Sequence, residues 1–171
     1  MRFWPKRQAV FAAAVAILLV GCRSSRSTAS ESVPSFSLKS LDGKVIRLED
    51  YRGHPVLLDF WATWCYPCRV AAPMVEEFYQ RHKDEGLIAI GINMDDDPSN
   101  VYAYVKQAGT SYPVVVGASG SVASDFQVEG LPTFVLIDPE GRLVDRWDGF
   151  SPALIRQWEI LLKRVQDAHA T

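Results

Sequence analysis

The sequence predicts an α/β domain with a central mixed sheet covered by helices. Short apolar runs that suit buried strands alternate with segments whose apolar residues recur at helical spacing. The clearest strands are residues 56–60 and 87–94, both largely apolar, which favours strands buried on both faces. Alternation of this kind favours one sheet with helices on both sides.

The domain is predicted to begin with a β-hairpin. Strand-like runs over 36–39 and 45–48 flank Leu41-Asp42-Gly43-Lys44. An Asp-Gly pair between such runs is typical of a tight hairpin turn.

The other elements follow in chain order from apolar periodicity and helix-capping signals. Val70, Met74, Val75 and Phe78 fall on one helical face after Pro67. Asp97 is the predicted N-cap of a later helix, and the run Asp95-Asp96-Asp97 is interpreted as a solvated loop that supplies this cap. The predicted elements are helix 67–85, strand 87–94, helix 97–107, strand 114–116, helix 121–126, strands 133–137 and 143–147, and helix 151–169.

The N-terminal segment, residues 1–21, is predicted to be a signal peptide of the lipoprotein type. Arg2, Lys6 and Arg7 precede an apolar run over 9–20, which is shorter than the roughly 20 residues needed to span a bilayer. Leu19-Val20-Gly21-Cys22 resembles the bacterial lipobox, in which Cys22 would become the lipidated first residue. The alternative is an ordinary signal peptide in which Cys22 has no role.

Two segments follow the predicted cleavage site. Residues 22–34 are expected to form a flexible tether, because residues 23–32 are small and polar, and residues 35–171 are expected to form the domain. Cleavage removes three of the 18 basic residues while all 20 acidic ones remain, so the net charge falls from −2 to about −5. Without a basic stripe, nucleic acid is not expected as a partner.

The remaining cysteines, Cys65 and Cys68, are the candidate reactive residues of the chain. In an exported protein such a pair can form a disulfide, but so short a loop would remove little entropy from the unfolded chain. A structural zinc site needs four ligands, and His54, His82 and His169 are scattered, so no metal site is expected. A copper-binding assembly protein that uses both thiols and one histidine remains open.

A redox function explains the pattern around this pair. A thiol attacks as its thiolate, and Cys65 at the start of a helix is close to unpaired N–H groups and the positive end of the helix dipole. Pro67 suits the first helical turn. Cys68, one turn further, is expected to be less exposed and to resolve a mixed disulfide.

Asp59 and Pro132 are further candidate functional residues, and each also has a purely structural interpretation. Burial within an apolar strand should raise the pKa of Asp59, which makes it a candidate proton acceptor for Cys68. The alternative is an aspartate at a frayed strand end. From the residues alone, Pro132 is expected to be an ordinary trans turn proline, since few X-Pro bonds are cis.

The segments "VLLDFWATWCYPCRVAAPMVEEF" and "GLPTFVLID" resemble the active-site segment and the cis-proline loop of thioredoxins. The resemblance implies a thioredoxin-like fold with an added N-terminal hairpin and a central insert. It also implies a redox disulfide Cys65–Cys68 and a cis bond before Pro132. The implied substrate-binding residues are Trp64, Tyr66, Pro67, Leu131 and Pro132.

The hairpin and the segment between residues 93 and 132 resemble the TlpA/ResA-like branch of this family. That resemblance implies a reductase of exported protein disulfides without a cofactor. It would be recharged by a membrane electron donor of the DsbD/CcdA type, and the protein is expected to be a monomer. Ala71 stands where the cytochrome c maturation branch commonly has glutamate, which favours a more general reductase.

A thiol peroxidase is a further alternative. Peroxiredoxins share the N-terminal hairpin and have a Thr-X-X-Cys pattern at the reactive cysteine. Here Ala62 occupies the threonine position, three residues before Cys65.

Overall fold

The computed structural model describes residues 32–95, 97–118 and 120–169. The predicted signal peptide, Cys22 and most of the predicted tether lie outside these residues. Within the described ranges, no helix combines the length and the apolar character needed to cross a membrane.

The described residues form one seven-stranded sheet. Its order is β2-β1-β5-β4-β3-β6-β7; β4 pairs in parallel with β3 and β5, and the other pairs are antiparallel. The predicted mixed sheet and the hairpin β1–β2 are confirmed. The strands are β1 (Ser37–Ser40), β2 (Val45–Arg47), β3 (Val56–Trp61), β4 (Ile88–Asn93), β5 (Val114–Val116), β6 (Thr133–Ile137) and β7 (Leu143–Asp148).

Four α-helices are present in the described residues: α1 (Tyr66–His82), α2 (Val101–Ala108), α3 (Ser121–Asp125) and α4 (Ala153–His169). Short 3₁₀ turns occupy Leu48–Tyr51, Lys83–Glu85 and Pro98–Asn100. Asp97 is an N-cap, as predicted, because its carboxylate accepts a hydrogen bond from the Ser99 amide at 3.0 Å. It caps the 3₁₀ turn Pro98–Asn100, however, and α2 begins only at Val101. Helix α1 ends earlier than predicted because the chain tightens into the 3₁₀ turn and leaves it at Gly86, where φ is +93°.

Strand β3 lies near the centre of the sheet, between β4 and β6, and all six of its residues are buried. This explains its nearly continuous apolar sequence. Its side chains alternate between faces: Leu58 and Phe60 join the core under the hairpin and α3, whereas Leu57 joins the core under α1 and α4. Asp59 and Trp61, in register with Leu57, therefore point to the α1 face.

Helices α1 and α4 are held to that face by aromatic packing. Trp158 of α4 contacts Phe78 of α1 with ring centroids 5.4 Å apart, and Phe134 of β6 at 4.8 Å, both edge-on. All three side chains are fully buried. Edge-to-face contacts of this kind stabilise a core beyond simple area burial, and they fix α1 over β3.

Ser32 and Val33, which belong to the predicted tether, contact the domain. Ser32 forms an isolated bridge with Arg142, and the Val33 amide donates to the Gly141 carbonyl at 3.2 Å. Val33 also packs against the core under the hairpin. The last residues of the predicted tether are thus attached to the β6–β7 turn.

Candidate active site

Cys65 is the N-cap of α1. Its φ and ψ of −80° and 104° are extended, and its sulfur accepts a hydrogen bond from the Cys68 amide at 3.2 Å. Pro67 lies in the first turn, where its missing N–H has no helical partner to lose. The sulfur therefore occupies the place that a capping oxygen takes in other helices, beside unpaired amides and the positive end of the dipole.

Cys65 and Cys68 form a disulfide, with their Cα atoms 5.3 Å apart. Both residues are only 4% exposed, so the expected difference in exposure between them is wrong. The disulfide connects Cys65 to the first turn of α1, and both cysteines join a buried cluster with Trp61 and Ala62. In this disulfide-bonded state, residue burial does not distinguish the two cysteines, whereas only Cys65 is the N-cap of α1.

Asp59 lies within β3, paired with Gly91 of β4 and Phe134 of β6. It is 5% exposed and accepts a hydrogen bond from the Tyr112 hydroxyl at 3.0 Å. The frayed-end alternative is therefore wrong. Burial raises the pKa of Asp59 to about 7, and the Tyr112 hydrogen bond opposes this rise. The expected rise in its pKa is confirmed, while its catalytic role stays a prediction.

The surface beside the disulfide is aromatic and apolar. Trp64 and Tyr66 are each 69% exposed and Val70 is 48% exposed. The Arg69 guanidinium lies 5.7 Å from the centre of the Tyr66 ring. Exposed aromatic side chains of this size are typical of surfaces that contact other macromolecules.

The Leu131–Pro132 peptide bond is cis, as the thioredoxin resemblance implies, and the expectation of a trans proline is wrong. Pro132 is buried, and Leu131 packs against the cluster that contains both cysteines. The Gly149 amide donates to the Pro132 carbonyl at 2.7 Å. The structure thus brings the Leu131 loop and the cysteine pair to one region of the surface.

The prediction of a solvated loop is wrong at Asp95. It is 7% exposed, and its carboxylate accepts hydrogen bonds from the Thr63 amide at 2.8 Å, the Thr63 hydroxyl at 2.6 Å and the Asn93 amide group at 2.6 Å. A buried carboxylate needs such donors to replace water. Asp95 thereby attaches the end of β4 to the loop that precedes Cys65.

Tyr112 is a further residue of the site that the sequence does not indicate. It is 4% exposed, and its contact with Asp59 joins residues 53 positions apart. No local pattern indicates such a pair. For Asp95, the available signal was an amide side chain at the end of a buried strand, Asn93, with a carboxylate two residues later.

The histidines lie away from the cysteines in separate contacts. His54 is 3.2 Å from the Gly86 carbonyl, His82 is bonded to Glu85, and His169 to Glu140. Over the part of the chain that the structure describes, no group of three or more His, Cys, Asp or Glu side chains is placed to hold a metal ion.

The sequence pattern of the AhpC/TSA family matches residues 29–146. The chain belongs to this family. It is 33% identical over 135 residues to the thiol-disulfide oxidoreductase ResA of Bacillus thuringiensis subsp. konkukian, which covers 79% of this chain and 77% of that protein. ResA of Bacillus subtilis is 34% identical over 131 residues, covering 76% and 73%.

Solved structures show the same fold. A thiol:disulfide interchange protein of the thioredoxin family from Chlorobium tepidum superimposes with a TM-score of 0.71 at 26% identity, covering 80% of this chain and 97% of the other. The predicted thioredoxin-like α/β fold is confirmed, as is the resemblance to the ResA-like branch. With the cysteine pair at the start of α1, this AhpC/TSA-family chain is a thiol–disulfide oxidoreductase.

Proposed function

We propose that the protein reduces disulfides of exported proteins, with Cys65 as the nucleophile, Cys68 as the resolving thiol and Asp59 as the proton acceptor. The observation that carries the proposal is the disulfide at the start of α1, with Cys65 as the N-cap. This place favours the charged form of a thiol. In the reduced protein, Cys65 is then ready to attack at neutral pH.

The first step is attack of the Cys65 thiolate on one sulfur of a substrate disulfide. The substrate S–S bond breaks, one substrate sulfur leaves as a thiolate, and a mixed disulfide forms between Cys65 and the other. Cys68 then passes its proton to Asp59 and attacks the Cys65 sulfur. The mixed disulfide breaks, and the second substrate sulfur leaves as a thiolate.

Two electrons have then moved from the protein dithiol to the substrate, and the protein holds the Cys65–Cys68 disulfide. The structure therefore corresponds to the state after one turnover. Another turnover needs a reductant. An oxidising compartment would keep the pair as a disulfide, so a membrane donor of the DsbD/CcdA type is the proposed electron source.

The surface around the disulfide supports a protein as substrate. Trp64, Tyr66 and Val70 offer exposed apolar area beside Cys65, and Leu131 contacts the same cluster. We propose that Trp64, Tyr66 and Pro67 contact the substrate chain and that the backbone of the Leu131–Pro132 loop forms hydrogen bonds with it. Such contacts suit an extended peptide that carries a cystine.

The choice between a general and a dedicated reductase depends on the first turns of α1. Ala71 is 2% exposed and packs in the core under α1 and α4, where it brings no carboxylate to the dithiol. Asp59 is instead a buried acid in the strand that leads to the dithiol. This arrangement supports a general reductase over a dedicated role in cytochrome c maturation.

We propose that the protein acts outside the cytoplasm, anchored through a lipid on Cys22 after removal of residues 1–21. The support is the sequence alone: a basic start, an apolar run and a cysteine where that run ends. Residues 22–31 would then connect the membrane to the domain. A Cys22→Ser variant should lose incorporation of labelled fatty acid and leave the membrane fraction.

Insulin reduction by the purified domain, residues 22–171, tests the enzymatic proposal. Cys65→Ser should abolish turnover with dithiothreitol as reductant. Cys68→Ser should accumulate a mixed disulfide between Cys65 and insulin that mass spectrometry detects. Cys22→Ser is the matched control and should turn over at the wild-type rate. Full activity of Cys65→Ser would end the proposal.

Two further measurements on the same sample separate the alternatives. A copper-binding assembly protein would bind copper tightly without reducing insulin. A thiol peroxidase would consume hydrogen peroxide faster than it reduces insulin. Either result would favour the corresponding alternative over disulfide reduction.

A further inference from the structure

Tyr112 lies in the loop before β5, on the same face of the sheet as Asp59. Strand β4 separates β5 from β3 in the sheet, yet the Tyr112 hydroxyl reaches across and donates to Oδ2 of Asp59 at 3.0 Å. Both residues are at least nine-tenths buried. A hydrogen bond between two such buried groups is shielded from competition with water.

Contacts with α1 fix the position of Tyr112. The amide and hydroxyl of the preceding Ser111 donate to the Glu76 carboxylate at 2.9 and 2.6 Å, and Gln80 donates to the same carboxylate at 2.8 Å. The Tyr79 ring meets the Tyr112 ring edge-on at 5.7 Å. The tyrosine is therefore held by backbone and ring contacts that do not involve Asp59.

Strand β4 leaves room for the Tyr112 ring at Gly91, the residue paired with Asp59. A β-carbon at Gly91 would lie 3.2 Å from Cε2 of Tyr112 and 3.1 Å from Nε1 of Trp61. The Gly91 amide also donates to the Pro113 carbonyl at 2.8 Å, which fixes the loop from the other side. The missing side chain allows the ring to approach β3.

Few titratable groups face Asp59 from the elements packed around it in the described residues. Helix α2 contributes Tyr104, whose pKa is raised mainly by burial and in part by the Asp59 charge, while the charge of Arg69 on α1 opposes the rise. Helix α1 contributes Glu76, which acts on Tyr112. The partner across β6 is the apolar Phe134. Both cysteines are disulfide-bonded in this state, so the Tyr112 hydroxyl is the group that acts on the carboxyl directly.

We propose that Tyr112 is a positioning residue for Asp59: its hydroxyl orients the carboxyl group and favours the charged form that can accept the proton of Cys68. The inference rests on the proposed role of Asp59 in resolution. Burial alone favours the neutral acid, which cannot accept a proton. The hydrogen bond from Tyr112 opposes this effect of burial and keeps part of the Asp59 carboxyl groups charged near pH 7.

Direct titration of Asp59 tests the proposal without relying on activity. In the oxidised protein neither cysteine titrates, so the ¹³C carboxyl resonance of Asp59 reports its own midpoint. Tyr112→Phe removes only the hydroxyl and should move this midpoint upward by about one pH unit or more, because hydrogen bonds to charged groups are among the stronger ones. The charged fraction at pH 7 would fall by about fivefold for a shift of that size.

Tyr79→Phe is the matched control, since Tyr79 contacts the Tyr112 ring without bonding to Asp59. Its Asp59 midpoint should match the wild type. An unmoved midpoint in Tyr112→Phe would overturn the proposal. Equal shifts in both variants would also overturn it, because they would indicate a general packing effect.

A second substitution keeps the test decisive if Tyr112→Phe fails to fold. Incorporation of 3-fluorotyrosine at position 112 makes the phenol a stronger donor and should move the Asp59 midpoint downward; no downward shift would overturn the proposal. Turnover of Asp59→Asn separates the two hypotheses. A wild-type rate at every pH would end the proton-acceptor role of Asp59, while the NMR midpoints would still decide whether Tyr112 acts on it.

Discussion

The buried carboxyl of Asp59 should make the stability of the protein depend on pH in a direction opposite to that of most paired carboxylates. Burial raises its pKa from the ordinary 3.8 to about 7. The folded protein therefore binds this proton more tightly than the unfolded chain. The stability that this provides is fully present below about pH 4 and is lost as pH rises through 7.

The size of the effect follows from the pKa. Because each pKa unit corresponds to about 1.4 kcal/mol, the loss between pH 4 and pH 8 amounts to about 4 kcal/mol. Asp59→Asn keeps the shape and an acceptor for the Tyr112 hydroxyl but cannot ionise. Relative to the wild type, its free energy of unfolding should increase by about 4 kcal/mol over that range.

Urea denaturation of the oxidised protein, followed by tryptophan fluorescence at pH 4 and pH 8, measures this difference. Asp84→Asn, at an exposed position, controls for the general loss of a carboxyl group. If the difference between Asp59→Asn and the wild type changes by less than about 1 kcal/mol over this pH range, the pKa of Asp59 is not raised by burial.

Three further predictions concern stability, measured by urea denaturation at pH 7. Asp95→Ala leaves the partly buried donors of Thr63 and the buried amide of Asn93 without their acceptor and should lower the free energy of unfolding by about 2–4 kcal/mol; no loss would mean that water replaces the carboxylate. Phe78→Ala opens a cavity at a fully buried site and should lower the free energy of unfolding by about 3–5 kcal/mol. A loss below about 1 kcal/mol would show that the surrounding core collapses into the cavity. Gly91→Ala places a β-carbon within 3.1 Å of two side chains and should remove about 1–3 kcal/mol; unchanged stability would show that the neighbours move freely.

Much of the fold follows from local sequence signals. The apolar run of β3, the Asp-Gly turn of the hairpin and the helical spacing after Cys65 each predict their elements to within a few residues. These signals succeed because strand burial, turn conformation and helix capping depend on neighbouring residues. The thioredoxin resemblance adds the cis bond at Pro132, which the residues alone did not indicate.

The contacts around the site could not be predicted in the same way. Three consecutive aspartates indicate solvent, yet Asp95 is buried because the sheet brings it to Thr63, 32 residues away. Tyr112 reaches Asp59 because β5 and β3 flank β4 in the sheet and Gly91 leaves room between them. Both pairs depend on strand order, which a local pattern does not encode.

The activation of Cys65 by the helix terminus can be measured in the reduced protein as the rate of Cys65 alkylation, followed by mass spectrometry as a function of pH. Because the sulfur lies at the amino end of α1, the midpoint of the rate profile should fall below about 7.5. A midpoint at about 8.5, the value of a free cysteine, would contradict the claim that the helix terminus activates this thiol.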